Sequence, residues 1–217
     1  MIPKKQTLAI AGIAALILLS VTMVSVSMTG TVFAAESGDF TYQLINDDTE
    51  VEITGYHGPG GELEIPGDVD GKKVTSIGSY AFSGFTALTS VIIHSNITAI
   101  GDGAFSDCSA LASITIPSSV TTIGSYAFAG CIALTSVTME DGVTTMGDGA
   151  FRFCTSLTSV TVPSSVTDIG NGAFQACSSM IAIDVDESNE NYASVDGLLC
   201  SKDGKTLIQC PALSLIH

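Results

Sequence analysis

Four cysteines, Cys108, Cys131, Cys154 and Cys177, recur at intervals of 23 residues. Thiols at a set spacing can form disulfides, hold a soft metal ion or act as nucleophiles. If each interval is one rung of a stacked structure, equivalent positions lie about 4.8 Å apart with parallel Cα–Cβ bonds. That separation is within disulfide reach, but parallel vectors oppose a bridge. A ladder also fails to converge as a tetrahedral zinc site must. Phe85 takes the same place one interval earlier, so the position wants a buried apolar group. Buried thiols are therefore expected, with bridges the alternative in an exported chain. Cys200 and Cys210 flank a turn centred on Asp203-Gly204. That turn sets 200 opposite 207 and 197 opposite 210, so a bridge between the two sulfurs would need a shifted register.

A second arrangement with chemical potential is Asp184-x-Asp186-x-Ser188-x-Glu190, whose alternating oxygens begin like a calcium loop. The pattern then breaks, because Asn189 stands where such a loop needs Gly and Val195 where it needs a bidentate Glu. A solvated acidic loop is the better reading. His57 lies in a Gly-rich turn, His94 at a strand end and His217 at the chain end, none with a motif partner. The sequence holds no G-x-S-x-G elbow, phosphate loop, dinucleotide fingerprint or H-E-x-x-H. Asn96-Ile97-Thr98 is a glycosylation sequon, relevant only in a host that reads it. No catalytic residue, cofactor or metal site is expected.

What positions all these residues is a repeat. Phe82, Phe105, Phe128, Phe151 and Phe174 stand 23 residues apart, each after an Ala, and four residues before each is a Gly. Ile77, Ile100, Ile123, Met146 and Ile169 precede those glycines. A constant period in this range marks a solenoid. Downstream come apolar triplets such as Leu111, Ile114, Ile116 and Leu157, Val160, Val162, the L-x-x-L-x-L core of leucine-rich repeats. Alternation with period two puts Ile114 and Ile116 inward and Ser113 and Thr115 outward. Pro117 and Pro163 close their strands, and the Gly-x-x-Ala-Phe segment is too short for much more than one helical turn. No single unit can bury its apolar edge, so the units must stack.

Residues Asp39 to Val74 read as short alternating strands that cap the front of the stack, separated by Asn46-Asp47-Asp48 and Gly58-Pro59-Gly60-Gly61 turns. At the far end, Gly197 to Cys200 and Thr206 to Gln209 flank Asp203-Gly204 as a hairpin. No sixth Ala-Phe follows, and an unsealed end would expose apolar core, so a longer natural chain is expected. Ahead of all this, Lys4 and Lys5, the apolar run Leu8 to Met28 and the small residues of Val32-Phe33-Ala34 make an export leader, cleaved after Ala34 or Ala35. An uncleaved membrane anchor is the competing reading, since the run is long for a secretory segment. Of seven basic residues, Lys4 and Lys5 leave with the leader, so five face 22 acidic ones, a formal net charge of −17. Such a polyanion repels nucleic acid and anionic lipid, which leaves no membrane contact beyond the leader.

Several motifs carry a family likeness. Phe40-x-Tyr42, Ile53-x-Gly55-Tyr56, Ile65-Pro66 and Asp70-Gly71-Lys72-x-Val74-x-x-Ile77-Gly78 open the exported part. Asn191-Tyr192-Ala193-Ser194-Val195-Asp196-Gly197-Leu198-Leu199 and Lys202-Asp203-Gly204-Lys205-x-Leu207-Ile208 follow near its end. With the Ile-Gly-x-x-Ala-Phe repeat, these resemble the BspA-like leucine-rich-repeat proteins of bacterial and protozoan surfaces. Cys210 departs from the family's aromatic after that last Ile. The resemblance implies an α/β solenoid of 23-residue repeats, with a parallel β-sheet on one face and short helical or irregular returns on the other. The divisions expected are a leader at 1–35, a cap at 36–76, five repeats at 77–190 and a hairpin with an incomplete end at 191–217. The resemblance also implies a cell-surface role in adhesion, to host matrix or plasma proteins or to other cells, through a protein or glycan ligand. The outward strand residues Ser113, Thr115, Ser136, Thr138, Ser159, Thr161 and Asp184 are the candidate contact positions. A structural spacer within a longer surface protein is the alternative.

Overall fold

The computed structural model describes residues 35–211, so the leader, all but its last residue, lies outside the described residues. Each repeat makes two strands, where one was expected. The longer strands are Leu88–Ile92, Ser113–Ile116, Ser136–Met139, Ser159–Val162 and Ala182–Val185, of which the middle three alternate exposed and buried residues as the period of two demands. The shorter ones, Ala99–Ile100, Thr122–Ile123, Thr145–Met146 and Asp168–Ile169, continue the ladder begun by Lys72–Ile77. They pair in parallel, with Ile77, Ile100, Ile123, Met146 and Ile169 in register. The repeat Ile that precedes Gly is thus a strand residue, and the fold is a β-solenoid with parallel strands on two sides of each coil.

A column of threonines stitches the short-strand side. The amide and the hydroxyl of Thr98 both donate to the Thr75 carbonyl, at 2.8 and 3.1 Å, and Thr121, Thr144 and Thr167 repeat the arrangement on the coil before each. The Gly after each short strand is obligatory for space. A Cβ on Gly147 would sit 2.4 Å from the Ser125 backbone nitrogen, so only glycine lets successive backbones approach this closely.

Of the short helical or irregular returns expected, the helical form is absent: among the described residues there is no helix. The returns are turns that alternate hand. Tyr80, Gly103, Tyr126, Gly149 and Gly172, two residues before each Phe, have positive φ, as do Gly84, Asp107, Gly130, Phe153 and Ala176 two residues after it. This alternation points every second N–H along the solenoid axis, where a helix would fold them back onto its own preceding turn. Phe105, Phe128 and Phe151 each donate to the carbonyl of the Ala one coil ahead at 2.7–2.8 Å, flanked by parallel columns such as Gly103 to Ser125 and Asp107 to Ala129. In these columns the earlier coil donates to the later one; in the threonine column the later coil donates to the earlier.

Inside, the Phe82, Phe105, Phe128, Phe151 and Phe174 rings stack with centroids 4.9, 5.3, 5.2 and 5.7 Å apart and planes within 4–7° of parallel. This offset stacking fills the return side of the core. At the front, Ala35–Ser37, Phe40–Ile45 and Glu50–Tyr56 form an antiparallel meander whose last strand pairs in parallel with Lys72–Ile77. Tyr56 continues the aromatic column onto Phe82 at 6.0 Å. Tyr42 donates to Asp70 at 2.7 Å, and burial first, then that carboxylate, pushes its hydroxyl up to about 12.

At the far end, Tyr192–Val195, Leu198–Ser201 and Leu207–Gln209 form an antiparallel sheet. Cys200 faces Leu207 as the turn reading required, and a bulge then sets Leu199 against Gln209. This sheet covers the edge of the last coil. Asn189, fully buried, donates to Pro163 and Val166 and accepts from Asn191 and Tyr192. The Tyr192 hydroxyl terminates the threonine column, donating to Thr167 at 3.4 Å and accepting from the Ile169 amide at 3.0 Å.

Candidate functional site

The outward residues of the longer strands form two columns across a flat face. Ser90, Ser113 and Ser136 are in register, as are Thr115 and Thr138; on the next pair of strands Ser159 faces Ala182 and Thr161 faces Asp184. The seven candidate residues are all exposed. They fall into two groups. Ser113, Thr115, Ser136 and Thr138 share a four-stranded ladder, while Ser159, Thr161 and Asp184 sit on a separate two-stranded one.

Gly61–Glu64 adds a strand to the front of the larger ladder that the repeat pattern did not include. Glu62 lies beside Ser90 and Glu64 beside Ile92. The face therefore carries carboxylates at both ends, Glu62 and Glu64 at one and Asp184 at the other, with hydroxyls between. Ile92, 56% exposed, is a large apolar side chain on this face. His94, for which the sequence offered no partner, contacts Glu64 at 3.0 Å.

Other residues with chemical potential are occupied by the fold. The thiols of Cys108, Cys131, Cys154 and Cys177 are unbridged and buried, and each donates to a Phe carbonyl of the preceding coil at 3.1–3.2 Å. Burial pushes the Cys108 thiol up to about 12, and burial followed by the adjacent Cys108 raises that of Cys131. The Cys154 thiol is raised first by its contact with the Cys177 sulfur and then by burial. Thiols raised in this way stay protonated and are poor nucleophiles or metal ligands at neutral pH, while the same contact with the Cys154 sulfur lowers the Cys177 thiol, which burial keeps from solvent. In the acidic loop, Asp186 accepts from the Ser188 amide at 2.8 Å, and Asn189 turns inward to cap the solenoid. Among the described residues no cluster of three metal-ligating side chains occurs.

A model of the BspA type leucine-rich repeat region matches residues 67–192 in six copies. The chain belongs to the BspA-type leucine-rich-repeat family. A leucine-rich-repeat protein of T. pallidum is similar to this BspA-type chain, with 32% identity, a TM-score of 0.66, and 70% of this chain and 71% of its own covered. One from Bacteroides ovatus is 34% identical at a TM-score of 0.64, covering 70% of this chain and 41% of that one. The chain thus spans less than half of the B. ovatus protein. The pneumococcal vaccine antigen PcpA, 24% identical with a TM-score of 0.64 over 82% of this chain and 56% of its own, shares the fold. No curated protein matches the chain. Repeat proteins of this family are interaction scaffolds.

Proposed function

We propose that this chain is an exported surface protein that binds a macromolecular partner across its strand face, by shape and many weak contacts, without catalysis. The observation that carries the reading is a contrast between two sets of threonines. Thr98, Thr121, Thr144 and Thr167 spend their hydroxyls on the coil before them. Thr115, Thr138 and Thr161, with Ser113, Ser136 and Ser159, are exposed, and their hydroxyls engage no protein group among the described residues. The first set is explained by folding. The second is a flat array of open donors and acceptors, suited to the backbone or side chains of a protein partner or to a glycan. The leader at 1–35 and the acidic surface support a role outside the cell, with 36–76 and 191–217 serving as the ends of the repeat block 77–190.

The test is binding of the full chain to immobilised matrix and plasma proteins and to whole cells. Thr115→Lys, Thr138→Lys and Thr161→Lys together should abolish capture while leaving the circular dichroism spectrum unchanged. Capture that survives this triple change would move the site to the return side or the end caps. A chain that captures nothing would favour the spacer role.

A further inference from the structure

The return side carries a second, chemically different feature. Tyr126 holds a left-handed backbone, φ 57°, and is 44% exposed. Its ring lies over Gly149 of the next coil, where a Cβ would come within 2.6 Å of the ring carbons. A cleft of about 460 Å³ opens beside it, lined by Asp148, Arg152, Asn171 and Gln175 and closed on one side by Ile208 of the terminal sheet. That volume falls in the range of small-molecule sites.

The lining narrows the occupant. Arg152 makes no ion pair among the described residues, and its guanidinium is held over the Phe153 ring at 4.8 Å. Asp148 Oδ1 accepts from the Asn171 backbone N–H at 2.6 Å. The Gly172 N–H, whose counterparts at Gly103, Tyr126 and Gly149 each donate to the next coil, has no protein partner among the described residues. An exposed aromatic platform is thus ringed by a carboxylate, a guanidinium and two primary amides, each with donors or acceptors paired in a plane. One carboxylate against one guanidinium leaves the cleft without net charge, and the chain as a whole is strongly acidic, which disfavours phosphate or sulfate ligands. A neutral ligand with one apolar face and vicinal hydroxyls satisfies every wall.

We propose that this cleft binds a neutral saccharide, one pyranose ring packing on Tyr126 with its hydroxyls meeting Asp148, Arg152, Asn171 and Gln175. The site is separate from the strand face and stands or falls independently of it. The fold supplies its own control. Tyr80 lies over Gly103 in the same way two coils earlier, but there Ser106, Ser125 and Ala129 occupy the places of Arg152, Asn171 and Gln175.

The experiment is saturation-transfer NMR on the full chain with cellobiose, N,N′-diacetylchitobiose and mannobiose, and with inositol hexakisphosphate and a neutral hexapeptide as competing classes. At least one disaccharide should bind, and Tyr126→Gly should weaken it at least tenfold while Tyr80→Gly leaves it unchanged. Glycine occupies the Tyr126 position in three other coils, so the variant suits the backbone; an unchanged thermal melt confirms that it folds. Arg152→Gln should weaken binding as well. Absence of binding by all three disaccharides, binding that Tyr126→Gly leaves intact, or binding only of the phosphate or the peptide would each overturn the proposal.

Discussion

Replacing Asn189 tests the capping argument at its most exposed point. Its amide gives two hydrogen bonds, to Pro163 at 2.8 Å and Val166 at 3.0 Å, and takes two, from Asn191 and Tyr192 at 2.8 Å each, with no solvent exposure. Asn189→Ala takes a partner from two carbonyls and two amides at once, of which the Pro163 carbonyl keeps the Val166 amide at 3.3 Å. A buried group left without its partner costs about 1–3 kcal/mol. Counting only two of the four as inaccessible to water, and at the middle of that range, gives a loss of roughly 4 kcal/mol. Asn189→Asp keeps the shape and both acceptor roles but aims a carboxylate at two carbonyl oxygens. Those oxygens raise the introduced carboxyl's pKa in the folded state above its unfolded value. The variant should therefore be nearest to the parent at low pH, where the protonated carboxyl can donate, and should lose stability as pH rises through the folded pKa. Equilibrium urea unfolding of both variants from pH 4 to 8, with hydrogen exchange at the Asn191 and Tyr192 amides, measures this. A loss below about 1 kcal/mol for Asn189→Ala, or a flat pH response for Asn189→Asp, would refute the reasoning.

Three further outcomes follow from the same geometry. The buried thiols Cys108, Cys131, Cys154 and Cys177 should resist a disulfide reagent at pH 8 in the folded chain and react once it is unfolded; because burial raises the Cys108 thiol from 9.0 to about 12, the stability it supports holds below pH 9 and falls as pH climbs toward 12. Gly147→Ala, with its Cβ 2.4 Å from the Ser125 nitrogen, should prevent close stacking of two coils and lower the melting temperature sharply, a prediction sunk by a shift of under two degrees, about 0.5 kcal/mol. Thr121→Val removes a hydroxyl donated to Thr98 at 3.2 Å and should cost about 1 kcal/mol in urea unfolding, whereas Thr138→Val should stay within about 0.5 kcal/mol because its hydroxyl supports nothing in the fold.

The repeat and the strand face were legible because each rests on a long-range regularity. Phe at every 23rd position announces the stack, and the Ser-x-Thr alternation assigns the outward side chains of Ser113–Ile116 and its neighbours. The short strands were hidden, since two residues such as Thr122–Ile123 are too few to show alternation. The returns were misjudged as partly helical because nothing local reveals that positions two before and two after each Phe adopt the left-handed conformation. The switching of Tyr80, Gly103, Tyr126 and Gly149 at one of them is the trace left in the sequence. Asn189 was visible only as the residue that spoils a calcium loop. Its role depends on carbonyls 23 and 26 residues earlier, contacts that no local window contains.

The opposed directions of the hydrogen-bond columns have an electrostatic consequence. In an α-helix every peptide dipole points the same way, and the ends acquire partial charges. Here the donors of the Phe-side columns point toward the C-terminal end of the stack and those of the threonine column toward the N-terminal end, so their axial components oppose each other. A stack of this kind can gain coils without building a pole at either end. Any attraction between its tips and ions or partners must come from side chains, which are acidic across the front meander, with Glu36, Asp39, Asp47, Asp48, Glu50 and Glu52, and balanced in the terminal sheet, where Asp196 and Asp203 meet Lys202 and Lys205.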